Sequence, residues 1–197
     1  GYHEELREVL TRRVEVVADD VERVDLLRRL ATLHEDILAN PEEAEKAWRR
    51  LLDIEPNDIE ALQRLSRTYA ASGSTTELIE VLERRIDASN DGEERRSLRM
   101  QLAGIHRESA KNREAEIDVL RSLLAEAPSD DDAMAALARA LLAEERHAEA
   151  ADVVQDRATI APTTERKASL MLDAARLYKG PLEDLHGAVE RYEQVLQ

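Results

Sequence analysis

Apolar residues recur along this chain at the i, i+3, i+4, i+7 spacing of helices that each bury one face. Leu27, Leu30, Ala31 and His34 form one such stripe, and Ala61, Leu62, Leu65 and Tyr69 another. No segment alternates apolar and polar residues between hairpin turns, so strands are not expected. Helix starts punctuate the pattern at short intervals. Asn40-Pro41-Glu42-Glu43 offers a capping side chain, a proline suited to the first helical position and carboxylates facing the positive end of the helix dipole. Ser74-Thr75-Thr76-Glu77 has the spacing of a capping box. Asp91-Gly92-Glu93-Glu94 and Pro162-Thr163-Thr164-Glu165 read as further starts, and Gly73 and Gly180-Pro181 as stops. The pattern predicts about eleven helices, over roughly 3–18, 22–38, 42–54, 58–72, 75–88, 93–110, 113–126, 130–143, 147–159, 165–179 and 183–196.

The chain also repeats itself. Shifted by 72 positions it lies on itself without gaps: Asn40 meets Asn112, Pro56 meets Pro128, His34 meets His106, and Leu51-Leu52 meet Leu123-Leu124. A second shift of the same length carries His106 to Tyr178, Leu120 to Tyr192 and Leu123-Leu124 to Val195-Leu196. Residues 5–14 fall on 77–86 in the same register. Each unit holds two helix pairs. One reads Leu27, Leu30, Ala31, His34, then Ala44, Trp48, Leu51, Pro56; the other Leu62, Leu65, Ser66, Tyr69, then Leu78, Leu82.

Ala44-x₃-Trp48 with Pro56, and Leu62-x₂-Leu65-Ser66-x₂-Tyr69, resemble the tetratricopeptide repeat (TPR) family, whose helix pair carries W-x₂-L-G-x₂-Y, then A-x₃-F, then P. Weaker copies keep the spacing and lose the aromatics, as in Met134-x₂-Leu137-Ala138-x₂-Leu141. The resemblance spans nearly the whole chain. It implies an all-α fold, a right-handed α-α superhelix or TPR-like solenoid over residues 1–197. A lone second-type (B) helix over 3–18 would precede five A/B pairs over 22–54, 58–88, 93–126, 130–159 and 165–196. Small residues stand where A and B helices must approach closely: Ala31, Ala44, Ser66, Ala103, Ala138, Ala150, Ala175 and Ala188. The unpaired first helix and the initial glycine lead us to expect a piece of a longer array, or one whose open ends associate with a second copy.

Composition narrows what such a scaffold does. Formal charge is −15, which repels nucleic-acid backbones and anionic membranes. There is no cysteine for disulfide or thiolate chemistry, no run of about 20 apolar residues and no signal-peptide pattern, so we expect a cytoplasmic protein. Arginine greatly outnumbers lysine, as in chains from GC-rich bacterial genomes. Candidate chemistry is thin. The histidines lack metal-ligand spacing, Asp130-Asp131-Asp132 lacks the frame of a calcium loop, and every glycine is isolated, so no phosphate loop exists. We expect no catalytic residues, no metal and no cofactor. His34 and His106 are expected as half-buried rings between the helices of a pair, and Trp48 as a core ring between successive repeats.

In the TPR family the A helices line the concave face and hold a partner's peptide or helix. Its spacing directs Arg28 and Thr32, Gln63 and Arg67, Met100 and Gly104, Ala135 and Arg139, and Leu172 and Arg176 inward. Arg67, Arg139 and Arg176 are equivalent, and Arg28 stands one turn earlier in its helix. Such arginines could grip carboxylates on an acidic or amphipathic partner by paired hydrogen bonds, or could pair with neighbouring residues such as Glu60 or Asp132. The lysine and asparagine set of the family's chaperone-tail clamp is not visible. The expected function is a protein–protein interaction scaffold with a peptide or helix as partner. The alternatives are a self-assembling solenoid segment and, against the charge, a helical array for RNA.

Overall fold

The computed structural model describes residues 1–195. Position 196, where the last helix was expected to end, and the repeat partner Leu196 lie outside them. Among the described residues every regular element is helical: α1 (Tyr2–Val16), α2 (Asp20–Thr32) running into a π-helical turn (Leu33–Ile37), α3 (Pro41–Ile54), α4 (Ile59–Ser72), α5 (Thr75–Ala88), α6 (Gly92–Glu108), α7 (Arg113–Glu126), α8 (Asp131–Ala143), α9 (His147–Thr159), α10 (Thr164–Lys179) and α11 (Leu185–Val195). The chain divides into two units, 1–98 and the remainder, with the boundary inside α6. In the first unit α1 to α5 pack each on the next; in the second, α7 to α11 do the same.

The helices begin where short polar side chains can take up an otherwise unpaired N–H. Asp19, Asn40, Asp58, Asn112, Asp130 and Thr163 each accept from the backbone N–H three residues on. Ser74 departs from the expected capping box: its hydroxyl turns to Ser72 Oγ at 2.8 Å and α5 starts without a side-chain cap.

The apolar stripes meet in the interior. Leu10, Val14, Leu27, Leu51, Leu62, Leu65 and Leu82 are buried in the first unit; Ile117, Leu120, Leu123 and Leu141 in the second. All eight small residues that the repeat places at close helix approaches are buried, from Ala31 to Ala188. Trp48 is enclosed and its indole N–H donates to Glu35 at 3.2 Å.

The turns inside the pairs follow the 72-residue period. Ala39, Gly73, Lys111, Glu145 and Glu183 all have positive φ, between 50° and 74°. They lie between the two helices of successive pairs, at alternating steps of 34 and 38 residues. After each, a backbone N–H returns to the carbonyl at the family's Tyr position: Asn40 to His34, Ser74 to Tyr69, Asn112 to His106, Arg146 to Leu141 and Asp184 to Tyr178. The longer turns hold one extra residue by widening the helix end. Leu38 N–H reaches Leu33 O, and Ala110 N–H reaches Ile105 O, both at 3.0 Å. This is why the helix expected over 22–38 breaks into α2 and a π turn.

Left-handed φ costs an L residue about 1–2 kcal/mol and glycine almost nothing. Gly73→Ala is therefore expected to destabilise the chain by about 1 kcal/mol. Ala39→Gly should stabilise it by a few tenths, the relief being partly offset by about 0.5–1 kcal/mol of added freedom in the unfolded chain. Urea denaturation of the two variants against wild type measures both.

Candidate functional site

The A-helix positions fall into two groups once neighbours are in place. Arg28 on α2 is held by α4: its guanidinium lies 2.6 Å from Asp58 and 3.2 Å from Glu60. Asp58 also caps α4, so this arginine ties two helices together. Thr32 donates its hydroxyl to the Arg28 carbonyl at 2.9 Å. Arg176 on α10 is exposed and held by Asp173 of its own helix at 2.8 Å. Met100 on α6 is half-buried against the cluster of Ala103, Ile117, Leu120 and Leu137, and Gly104 and Leu172 are half-buried.

Arg67 on α4 and Arg139 on α8 differ. Both are exposed, and among the described residues neither has a hydrogen-bond or ion-pair partner. One stands in each unit, four residues after half-buried Gln63 and Ala135 respectively. Most other arginines are engaged: Arg64 reaches Glu35, Asp36 and Glu60, Arg157 grips Asp131, and Arg146 bridges Glu114 and Glu149. Two free guanidinium groups at equivalent sites of an acidic chain are donors without an acceptor.

The other polar groups serve the fold. His34 and His106 are buried, each with Nδ1 unpaired, and burial draws the His34 ring below its ordinary pKa. Tyr69 donates to Glu45 at 3.0 Å; burial first, and then that hydrogen bond, push its hydroxyl up to about 12. Asp130 caps α8, and Arg157 beside Asp131 holds that carboxyl below the usual carboxylate range. Among the described residues no group of three His, Asp or Glu could hold a metal ion, and no helix is long and apolar enough to cross a membrane.

Two features were not singled out in the sequence. Glu116 is fully buried in the first turn of α7, hydrogen-bonded to Arg113 and 3.8 Å from Arg107. The signal was available, since the repeat sets it against Ala44 and Ala188, where the family wants a small residue. The second is an open groove of about 390 Å³ in the first unit. Its floor is Leu6, Leu10, Leu33 and Ile37, and Arg28 and Glu60 stand on its rim.

No family model and no curated protein matches this sequence. Solved structures do. One of MamA AMB-1 superposes with a TM-score of 0.52 at 17% identity, over 90% of this chain and 91% of that one. Another, of MamA protein, gives 0.50 at 18% identity over 88% and 90%. YrrB, described as a TPR protein with an unusual peptide-binding site, gives 0.49 at 16% identity over 96% and 92%. At such identities the likeness is one of fold.

Proposed function

From a chain that has the tetratricopeptide-repeat fold, we propose a protein-binding scaffold, in which the A-helix stripe ending at Arg67 in the first unit holds an acidic or amphipathic segment of a partner, and the equivalent stripe ending at Arg139 in the second unit offers the same contact by itself. The observation that carries this reading is the pair of unengaged guanidinium groups at equivalent repeat positions, in a chain whose net charge is −15. A guanidinium offers a planar fork of donors that fits a carboxylate, and a bidentate pair is stronger than a neutral hydrogen bond. The acidic surroundings repel carboxylates elsewhere, so each of these positions favours docking on its own stripe. The proposed role is to hold rather than to transform.

The test uses an acidic amphipathic peptide selected on the wild-type protein and measured by fluorescence anisotropy. Arg67→Glu and Arg139→Glu are each expected to weaken binding at their own stripe about tenfold, the equivalent of roughly 1.4 kcal/mol. Both side chains are exposed, so the melting temperature should stay unchanged. Wild-type affinity in both variants would overturn the reading, as would failure to select any such peptide.

A further inference from the structure

The ring of His34 sits at a strained bend. It lies in the π turn that ends α2, where Leu38 N–H reaches back to Leu33 and Asn40 N–H to His34 itself, and Ala39 takes a φ of 50°. The turn packs on α1, α2 and α3. The ring is 6% exposed, and its Nδ1 is buried without a partner. An unpaired lone pair is tolerated in an interior better than an unpaired N–H, so the neutral ring carries its one proton on Nε2. A second proton goes to Nδ1, and there it needs an acceptor.

The charged groups that face the ring are already engaged. From α1, Glu4 and Arg7 pair with each other at 2.8 Å. From α3, Glu43 is held by Lys46 at 2.6 Å. On α2, Arg28 is turned to Asp58 and Glu60, and Arg29 stands 3.8 Å from Asp25. Within the turn, Glu35 receives Trp48 and Arg64, and Asp36 lies 3.6 Å from the same arginine. The repeat shows what is missing. One pair on, Tyr69 donates to Glu45 of α3; the residue of α1 in that register is Arg7. Where the neighbouring pair offers an acceptor, this one offers a cation.

Burial is the strongest influence on the ring and draws it below its ordinary pKa of 6.5; Glu43 and Glu4 oppose this, and Arg7 adds to it. The unfolded segment therefore takes the second proton first. The stability that the site contributes is complete above about pH 6.5 and is lost as the pH falls below that value.

We propose that His34 makes the turn between α2 and α3 an acid-sensitive latch. A second proton on the buried ring has no acceptor and is repelled by Arg7, and the ring is relieved when the turn opens away from α1 and α3. Glu35 moves with the turn, so the Trp48 indole loses its acceptor and the opening spreads into α3. The latch acts on the packing of one helix pair and is separate from the exposed arginines Arg67 and Arg139.

The test is amide exchange of the full chain at about pH 7.5 and about pH 5.5, either side of the ordinary histidine range, with each rate divided by that of an unstructured chain at the same pH. In wild type, protection over residues 33–54 is expected to fall severalfold at the lower pH while α5 keeps its own. Two variants remove the titrating ring: His34→Leu, the residue that the repeat carries at Leu141, and His34→Tyr, the residue that it carries at Tyr69. Each should hold its protection over 33–54 constant between the two conditions. Unchanged protection of these residues in wild type would overturn the proposal. So would the same fall in either variant, because the carboxylates of the chain would then be responsible. An equal fall in α5 of wild type would mark a loss of the whole fold and overturn the latch as well.

Discussion

Trp48→Ala is expected to lower the unfolding free energy by about 3–5 kcal/mol, the range for removing a large aromatic side chain from a filled interior. The indole is 1% exposed, and its N–H donates to Glu35, whose carboxylate also receives Arg64. Truncation removes the ring and leaves that partner short of one donor. Trp48→Leu should cost markedly less, since the repeat places fully buried Leu120 at the same position of the second unit. Helix pairs in such arrays depend mainly on their neighbours, so the loss should be local. Amide exchange of Trp48→Ala should accelerate in α2 to α4 and leave α8 to α10 close to wild type. Circular dichroism in urea measures the total, because the variant has no tryptophan left to report by fluorescence. A uniform loss of protection would contradict the repeat-by-repeat account.

Arg113→Ala is expected to cost about 3 kcal/mol, from a surface-reaching arginine whose work is done on a buried neighbour. Glu116 is fully enclosed, and Arg113 is its hydrogen-bonded cation. Removing one partner of such a pair strands a charge away from water, at about 3–5 kcal/mol. The lower end applies because Arg107 remains 3.8 Å from the other carboxylate oxygen and the start of α7 supplies a favourable dipole. Glu116→Ala alone should stay within about 1 kcal/mol of wild type: the pair is lost, but so is the desolvated charge, and Ala44 and Ala188 show the fold closing around alanine here. The double variant should match Glu116→Ala, so Arg113→Ala matters only while the glutamate is present. Additive losses in the four-way comparison would show that Arg113 acts through something other than Glu116.

Much of the architecture was legible because it rests on local rules repeated along the chain. The helix spacing, the caps at Asn40 and Thr163, the small residues from Ala31 to Ala188 and the interior placement of Trp48 each follow from residue type and position, while His34 and His106 lie deeper than the half-buried rings expected. Ser74 shows the limit, since a capping hydroxyl with a competing partner two residues away turns to that partner. The positive-φ turns show another. Only Gly73 marks such a turn by composition; Ala39, Lys111, Glu145 and Glu183 adopt the same backbone at a cost the pair packing outweighs.

The candidate surface was legible as a set of positions and not as a set of states. Arg28, Arg67, Arg139 and Arg176 look alike in the sequence, and the structure separates them by what lies nearby. Asp58 and Glu60 take Arg28, Asp173 takes Arg176, and Arg67 and Arg139 are left.

The sequence by itself determined that this chain is a tetratricopeptide-type array, because helix periodicity and the close-approach residues are properties of short segments and recur in register. Only the tertiary structure decided which arginines remain free and that Glu116 is buried. Burial and charge pairing depend on neighbours brought in from tens of residues away, and no local pattern encodes which of several similar groups those neighbours will reach.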